Sequence, residues 1–186
     1  MRPAVIVIDM LEDFVYGGLK CERAERILGP IGRLLDGARS SGTPVIFSND
    51  AHIPEVDHEF EVWGPHAVAG TPGAEVISSL APEDEDYVVP KRRYSGFYGT
   101  DLDMLLNELE VDTVVLTGLH TNICVRHTAA DAFYRGYKVL VPTDAVEAFT
   151  EEDQTSGLEY LKMVYGAEIT DVEALLERIA GATVEG

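Results

Sequence analysis

The sequence predicts an α/β domain of three layers, with helices on both faces of a mostly parallel central sheet of about six strands. Two observations carry this. Short, continuous apolar runs rich in β-branched residues alternate with longer stretches whose apolar residues recur at helical spacing. The short runs also lack a polar face, as parallel strands covered on both sides require.

The first run, Ala4-Val5-Ile6-Val7-Ile8, predicts a buried strand that ends at Asp9. Helical spacing follows over 23–40, then a strand over 44–48. The stretch 51–85 is the least regular, rich in Pro, Gly, His and acidic residues. So long a loop inside a compact domain is functional or carries a short helix of its own. The alternation resumes with a strand over 87–89, a helix over 100–109, a strand over 113–117, a helix over 122–135 and a strand over 137–141. A helix over 151–164, a sixth strand near 167–169 and a helix over 171–180 complete it. Each helix begins near a polar or acidic residue suited to an N-terminal cap, and Gly136 and Gly166 stand where helices should stop.

At 186 residues and 46% hydrophobic content the chain can bury one substantial core but is short for two, so a single domain over 1–186 is expected. Its first apolar stretch is brief and runs straight into Asp9. It has neither the features of a signal peptide nor the length of a membrane span, which predicts a cytoplasmic protein. A net charge of -19 repels nucleic-acid phosphates and anionic membrane surfaces, so neither is expected as a partner. Cys21 and Cys124 lie far apart in unlike contexts; one functional thiol fits better than a disulfide.

In an open parallel sheet, ligands bind at the carboxyl ends of the strands. Asp9 ends the first predicted strand, Asp50 and His52 the second and Lys91 the third, while Gly118-Leu119-His120-Thr121-Asn122-Ile123-Cys124 follows the fourth. Cys124 falls just inside a predicted helix, where unpaired N–H groups and the helix dipole favour a thiolate. Cys21 has no such surroundings and reads as a small buried hydrophobe. Asp9 interrupts an apolar run, where a buried carboxylate needs a partner that Lys91 can supply. A structural ion pair is the competing reading. A carboxylate, a lysine and a thiol on one edge nevertheless outline a base, an electrostatic stabiliser and a nucleophile.

Asp50 and His52 lie two apart in extended chain, so their side chains project to one side about 6 to 7 Å apart, a usable bite for a metal ion. His66 would complete a facial triad, and mixed N/O ligands suit zinc, iron or manganese. His58 and Glu59 are further candidate ligands, whereas His127 fits a helix face. Phe14 and Trp63, expected on loops beside Asp9 and His66, could wall a flat pocket; core packing competes for Phe14.

Five ordered segments carry a resemblance: Val7-Ile8-Asp9-Met10-Leu11-Glu12-Asp13-Phe14; Asp50-Ala51-His52; Trp63-Gly64-Pro65-His66 leading into Gly70-Thr71-Pro72-Gly73-Ala74-Glu75; Lys91-Arg92-Arg93-Tyr94-Ser95-Gly96-Phe97; and Thr117-Gly118 through Cys124-Val125-Arg126. In this order, over nearly the whole chain, they resemble the isochorismatase-like cysteine hydrolases, whose members include nicotinamidases and N-carbamoylsarcosine amidases. The resemblance implies a catalytic triad of Asp9, Lys91 and Cys124, a cis peptide between Leu119 and His120, and the backbone N–H groups of His120 and Cys124 as oxyanion donors. It also implies one divalent metal, zinc first and iron or manganese otherwise, held by Asp50, His52 and His66. Phe14 and Trp63 would then sandwich a planar ring.

The metal triad resembles the nicotinamidase branch, so hydrolysis of nicotinamide to nicotinate with release of ammonia is the leading expectation. The alternative is hydrolysis of a ureido compound such as N-carbamoylsarcosine. Leu11 stands where many relatives have glutamine, and the loop between His52 and His66 is short; both reshape the pocket. Relatives assemble as dimers or tetramers, which implies a homo-oligomer. Outside enzymes, a receiver-like phospho-accepting domain also gathers acids and a lysine at strand ends, but it needs neither Cys124 nor a histidine pair. A nucleotide-binding module finds neither G-x-G-x-x-G nor a P-loop.

Overall fold

The computed structural model describes residues 1–182. The chain runs β1 (Pro3–Ile8), α1 (Glu12–Val15), α2 (Glu25–Ser40), β2 (Val45–Asp50), α3 (Phe60–Trp63), β3 (Tyr87–Lys91) and α4 (Leu102–Glu108). It continues through β4 (Thr113–Leu119), a π-helical turn (Thr121–Val125), α5 (Arg126–Tyr134), β5 (Lys138–Pro142), β6 (Val146–Glu147), α6 (Glu151–Tyr165), β7 (Glu168–Thr170) and α7 (Val172–Ala182).

The seven strands form one sheet in the order β3-β2-β1-β4-β5-β7, with β6 beside the end of β4. Every strand pair is parallel. Strand alternation splits the core into two layers, one on each face. Ala4, Ile6 and Ile8 of β1 join Leu102 and Leu106 of α4, Ala129 and Ala132 of α5 and Leu161 of α6. Val5 and Val7 face the other way, onto Ile31, Leu34 and Leu35 of α2 and Leu175 and Ile179 of α7. The result is the expected three-layer α-β-α architecture. Strand order reverses about β1 and β4, which makes the crevice above their carboxyl ends the switch point where such sheets bind ligands.

Several boundaries differ from the sequence-based expectation, each for a physical reason. β2, β3 and β4 run past their predicted ends to take in Asp50, Lys91 and Leu119, because backbone pairing such as Asp50 with Lys91 continues through residues whose polarity had signalled a loop. β6 is two residues long, too short to leave a periodic trace. The predicted helix over 122–135 opens instead as the π-helical turn, and Phe14 and Trp63 stand on the short helices α1 and α3 rather than on loops. Side-chain capping holds at α6, where Thr150 Oγ1 accepts from the Asp153 N–H at 3.1 Å, and at α7, where Asp171 Oδ1 accepts from the Ala174 N–H at 2.8 Å. The N-cap side chains of α2, α4 and α5 make no such bond, although Thr100 Oγ1 accepts from the first N–H of α4, that of Leu102, at 3.3 Å. Gly166 ends α6 in the left-handed region, at φ 62°, as expected.

Candidate active site

The strand ends deliver the buried residues Asp9, Asp50, Lys91 and Cys124 to one point. Asp9 follows β1 directly and takes a positive φ of 55°, which turns the chain out of the sheet. Its N–H donates to Asn49 Oδ1 at 3.2 Å, and its Oδ1 accepts from the Asp50 N–H at 2.8 Å, so the neighbouring strand end holds the carboxylate in place. Lys91 Nζ donates to Asp9 Oδ2 at 2.8 Å and to Asp50 Oδ1 at 2.5 Å, and lies 3.7 Å from Cys124 Sγ. One ammonium therefore links the thiol to both carboxylates.

One cation between two buried carboxylates sets the proton inventory. Burial and the nearby Asp50 push Asp9 up to about 6 against the pull of Lys91. Burial opposes the charge on Lys91, but Asp50 and Asp9 together hold its pKa well above the usual value. Burial, followed by the two carboxylates, also drives the Cys124 thiol well up despite Lys91. Cys124 lies in a five-residue π-helical turn rather than inside an α-helix, and burial opposes the thiolate that a helix start would favour. Burial therefore favours the neutral thiol, with Asp9 beside it.

A second cluster adjoins the first. Donor atoms of Asp50, His52, Glu59 and His66, all buried, lie within 4.8 Å of one another. A local bridge builds this site: the His52 N–H donates to Ala67 O and the Ala69 N–H to His52 O, each at 2.9 Å, which lays the segment after His66 alongside His52. His66 Nδ1 pairs with Gly64 O at 2.7 Å and His52 Nδ1 with Asp57 Oδ2 at 3.0 Å. Asp57 is in turn gripped by Arg92, whose hydrogen bonds hold that carboxyl far below the usual carboxylate range against the effect of burial. His52 Nε2 lies 3.6 Å from Asp50 Oδ2 and 3.7 Å from Glu59 Oε2, and both His52 Nε2 and Glu59 Oε1 are buried without a hydrogen-bond partner. Burial and Asp50 raise Glu59 to about 7. Two imidazoles and two carboxylates converging with unsatisfied donor atoms fit a divalent ion. Glu59 thus joins the predicted Asp50, His52 and His66. His58 does not: its side chain is exposed and faces Glu61.

Between the clusters lies a narrow cleft lined by Phe14, Trp63, Tyr94, His120, Ile123 and Phe149 together with Cys124, Asp50, Glu59 and His66. Both predicted aromatics line it, but the stacking partner is one the sequence did not reveal. Phe149 stacks on His120 at 4.0 Å and on Trp63 at 6.1 Å, while Trp63 Nε1 donates to Tyr94 Oη at 3.0 Å. Phe14 packs against His66 and edge-on to His120. The peptide between Leu119 and His120 is cis. His127 lies on the exposed side of α5 with Nδ1 against Ile123 O, and Cys21 is a buried free thiol beside Ala148 O, so neither enters the cleft.

Residues 3–174 match the isochorismatase domain family. The chain belongs to the isochorismatase family. This isochorismatase-family hydrolase is similar to the N-carbamoylsarcosine amidase of Thermoplasma acidophilum, with a TM-score of 0.87 and 45% identity over 92% of this chain and 97% of that one. It is similar also to the nicotinamidase of Bacillus subtilis, with a TM-score of 0.88 and 34% identity over 92% of this chain and all (100%) of that one. The pyrazinamidase of Pyrococcus horikoshii, solved in complex with zinc, matches with a TM-score of 0.85 and 32% identity over 92% of this chain and 99% of that one. Family membership sets aside the receiver-like alternative. No helix among the described residues is long and apolar enough to cross a membrane.

Proposed function

We propose that this chain is a metal-containing cysteine amidohydrolase that releases ammonia from a small, planar, neutral amide, with nicotinamide the leading substrate. The observation that carries this reading is the Lys91 ammonium, which touches Asp9, Asp50 and Cys124 at once and so joins a nucleophile, its base and a metal-site carboxylate.

Since burial favours the neutral thiol, attack and proton transfer go together. Asp9 takes the thiol proton as Sγ closes on the substrate carbonyl, and Lys91 offsets the negative charge that would otherwise build up on the buried pair. The backbone N–H groups of His120 and Cys124 receive the developing oxyanion. Asp9 returns its proton to the leaving nitrogen, ammonia departs, and a water then cleaves the thioester to release the acid and restore the thiol. Asp50, His52, Glu59 and His66 would hold the ion, for which zinc is the first choice and iron or manganese the alternatives. When bound, it supplies a Lewis-acid contact for a ring heteroatom or a water.

Cys124→Ala should abolish ammonia release from nicotinamide while leaving the circular dichroism spectrum and melting profile close to wild type. Retained turnover in that variant would refute the nucleophile.

The high identity to an N-carbamoylsarcosine amidase supports a second reading, hydrolysis of a ureido compound. That substrate class carries a carboxylate, whereas the residues lining the cleft include neither Arg nor Lys. A panel containing nicotinamide, pyrazinamide and N-carbamoylsarcosine separates the two. Turnover of the carbamoyl compound alone would reverse the preference.

A further inference from the structure

Asp57 is fully buried, yet it is neither a candidate ligand nor part of the cleft. Its Oδ2 lies 3.0 Å from His52 Nδ1 and accepts from the Ile53 N–H at 2.8 Å. Arg92 clamps the same carboxylate, donating Nε–H to both oxygens at 3.0 and 3.1 Å and a further N–H from Nη2. Arg93 Nη1 stands 3.6 Å from Oδ1. So many donors on one carboxylate leave it only an accepting role.

An imidazole facing an acceptor-only group must carry its proton on that side. For the neutral ring of His52 this puts the proton on Nδ1 and the lone pair on Nε2, the nitrogen that lies between Asp50 and Glu59 with no hydrogen-bond partner. Without Asp57 the proton could move to Nε2, where Asp50 and Glu59 would accept it, and the nitrogen would be lost as a donor to a metal. His66 is held in the same sense by a backbone carbonyl, Gly64 O, so both rings present Nε2. Arg92 immediately follows Lys91 at the end of β3, and through Asp57 it ties the segment that carries Glu59 and leads into α3 to the strand that supplies the ammonium.

We propose that Asp57 is a positioning residue that fixes His52 as the Nδ1–H tautomer and thereby sets the affinity of the Asp50, His52, Glu59 and His66 site for a divalent ion. The inference rests on the metal reading above.

Zinc affinity, measured by competition with a chromophoric chelator on wild type, Asp57→Asn and Asp57→Ala, tests it. Loss of such an outer-shell partner should weaken zinc binding about 10- to 100-fold and shrink the rise in Tm that zinc produces. In a His52→Ala background Asp57→Asn should add little, since the residue acts through that ring. A merely structural Asp57 would lower the Tm of metal-free and zinc-loaded protein alike and leave zinc affinity within about twofold, which overturns the proposal. Imidazole nitrogen NMR on metal-free wild type, followed up in pH until the His52 ring is neutral, needs no variant to fold: a remaining proton on Nδ1 supports the proposal, and one on Nε2 overturns it. Failure of wild type to bind zinc overturns the metal reading together with this inference, whereas tight binding that Asp57 does not influence overturns the inference alone.

Discussion

Lys91 is the residue on which the two halves of the site depend. Its ammonium is buried and its hydrogen bonds go to Asp9 and Asp50, with Cys124 at the third corner. Deleting one partner of a buried ionic cluster strands the charges that remain, at about 3 to 5 kcal/mol. Lys91→Met in metal-free protein should lose stability of that order in urea unfolding and lose turnover as well; a change below about 1 kcal/mol would show that the carboxylates find other partners. At this scale the sequence was informative where residue type and strand position agreed, as for Asp9, Asp50, His52, Lys91 and Cys124. It was least informative where chemistry depends on an unseen neighbour. Asp57 looked like one more loop acid, and only its contacts with His52 and Arg92 distinguish it. Glu59 and His58 were equivalent candidates until the turn into α3 buried one and exposed the other.

Among the elements, the end of β4 is the most constrained. Gly118 pairs with Ile8, donates its N–H to Ala145 O at 2.8 Å and takes a φ of 98°. A Cβ there would lie 2.0 Å from Ile8 O, a backbone atom with nowhere to go. Gly118→Ala should therefore lower unfolding free energy by more than about 2 kcal/mol, from strain and steric conflict together. Chemical denaturation reads this out, and an unchanged midpoint would contradict the packing described. The other sensitive element end is the start of α6, just after Phe149 has entered the cleft. Thr150→Ala removes the cap on Asp153 and should cost about 1 kcal/mol in the same assay. Phe149 escaped the sequence reading because β6, which places it, is too short to carry a hydrophobic period.

For the molecule as a whole, 33 acidic against 14 basic side chains leave a net charge of -19. Runs such as Glu83-Asp84-Glu85-Asp86 and Glu151-Glu152-Asp153 concentrate that charge, and self-repulsion works against the compact state. Salt shortens the Debye length from about 30 Å at 0.01 M to about 10 Å at 0.1 M. The Tm of metal-free protein should accordingly rise over that range of NaCl. A fall would mean that surface pairs such as Arg2 with Glu110 and Arg178 with Glu168 outweigh the repulsion.

Local pattern determined a great deal by itself. Apolar β-branched runs without a polar face suit parallel strands, and polar residues that terminate such runs collect at the carboxyl edge, so fold class and the main site candidates followed from residue type and order. The run over 87–89 nevertheless became an edge strand with Tyr87 and Val88 exposed. What only the tertiary structure decided depends on distances between segments far apart in the chain. It seated one ammonium between two carboxylates and a thiol, in a buried setting that favours the neutral thiol. It set Phe149 against His120, chose Glu59 over His58, and turned Asp57 into the partner of His52. Desolvation and hydrogen bonding govern each of these outcomes, and both exist only once the strands have brought their ends together.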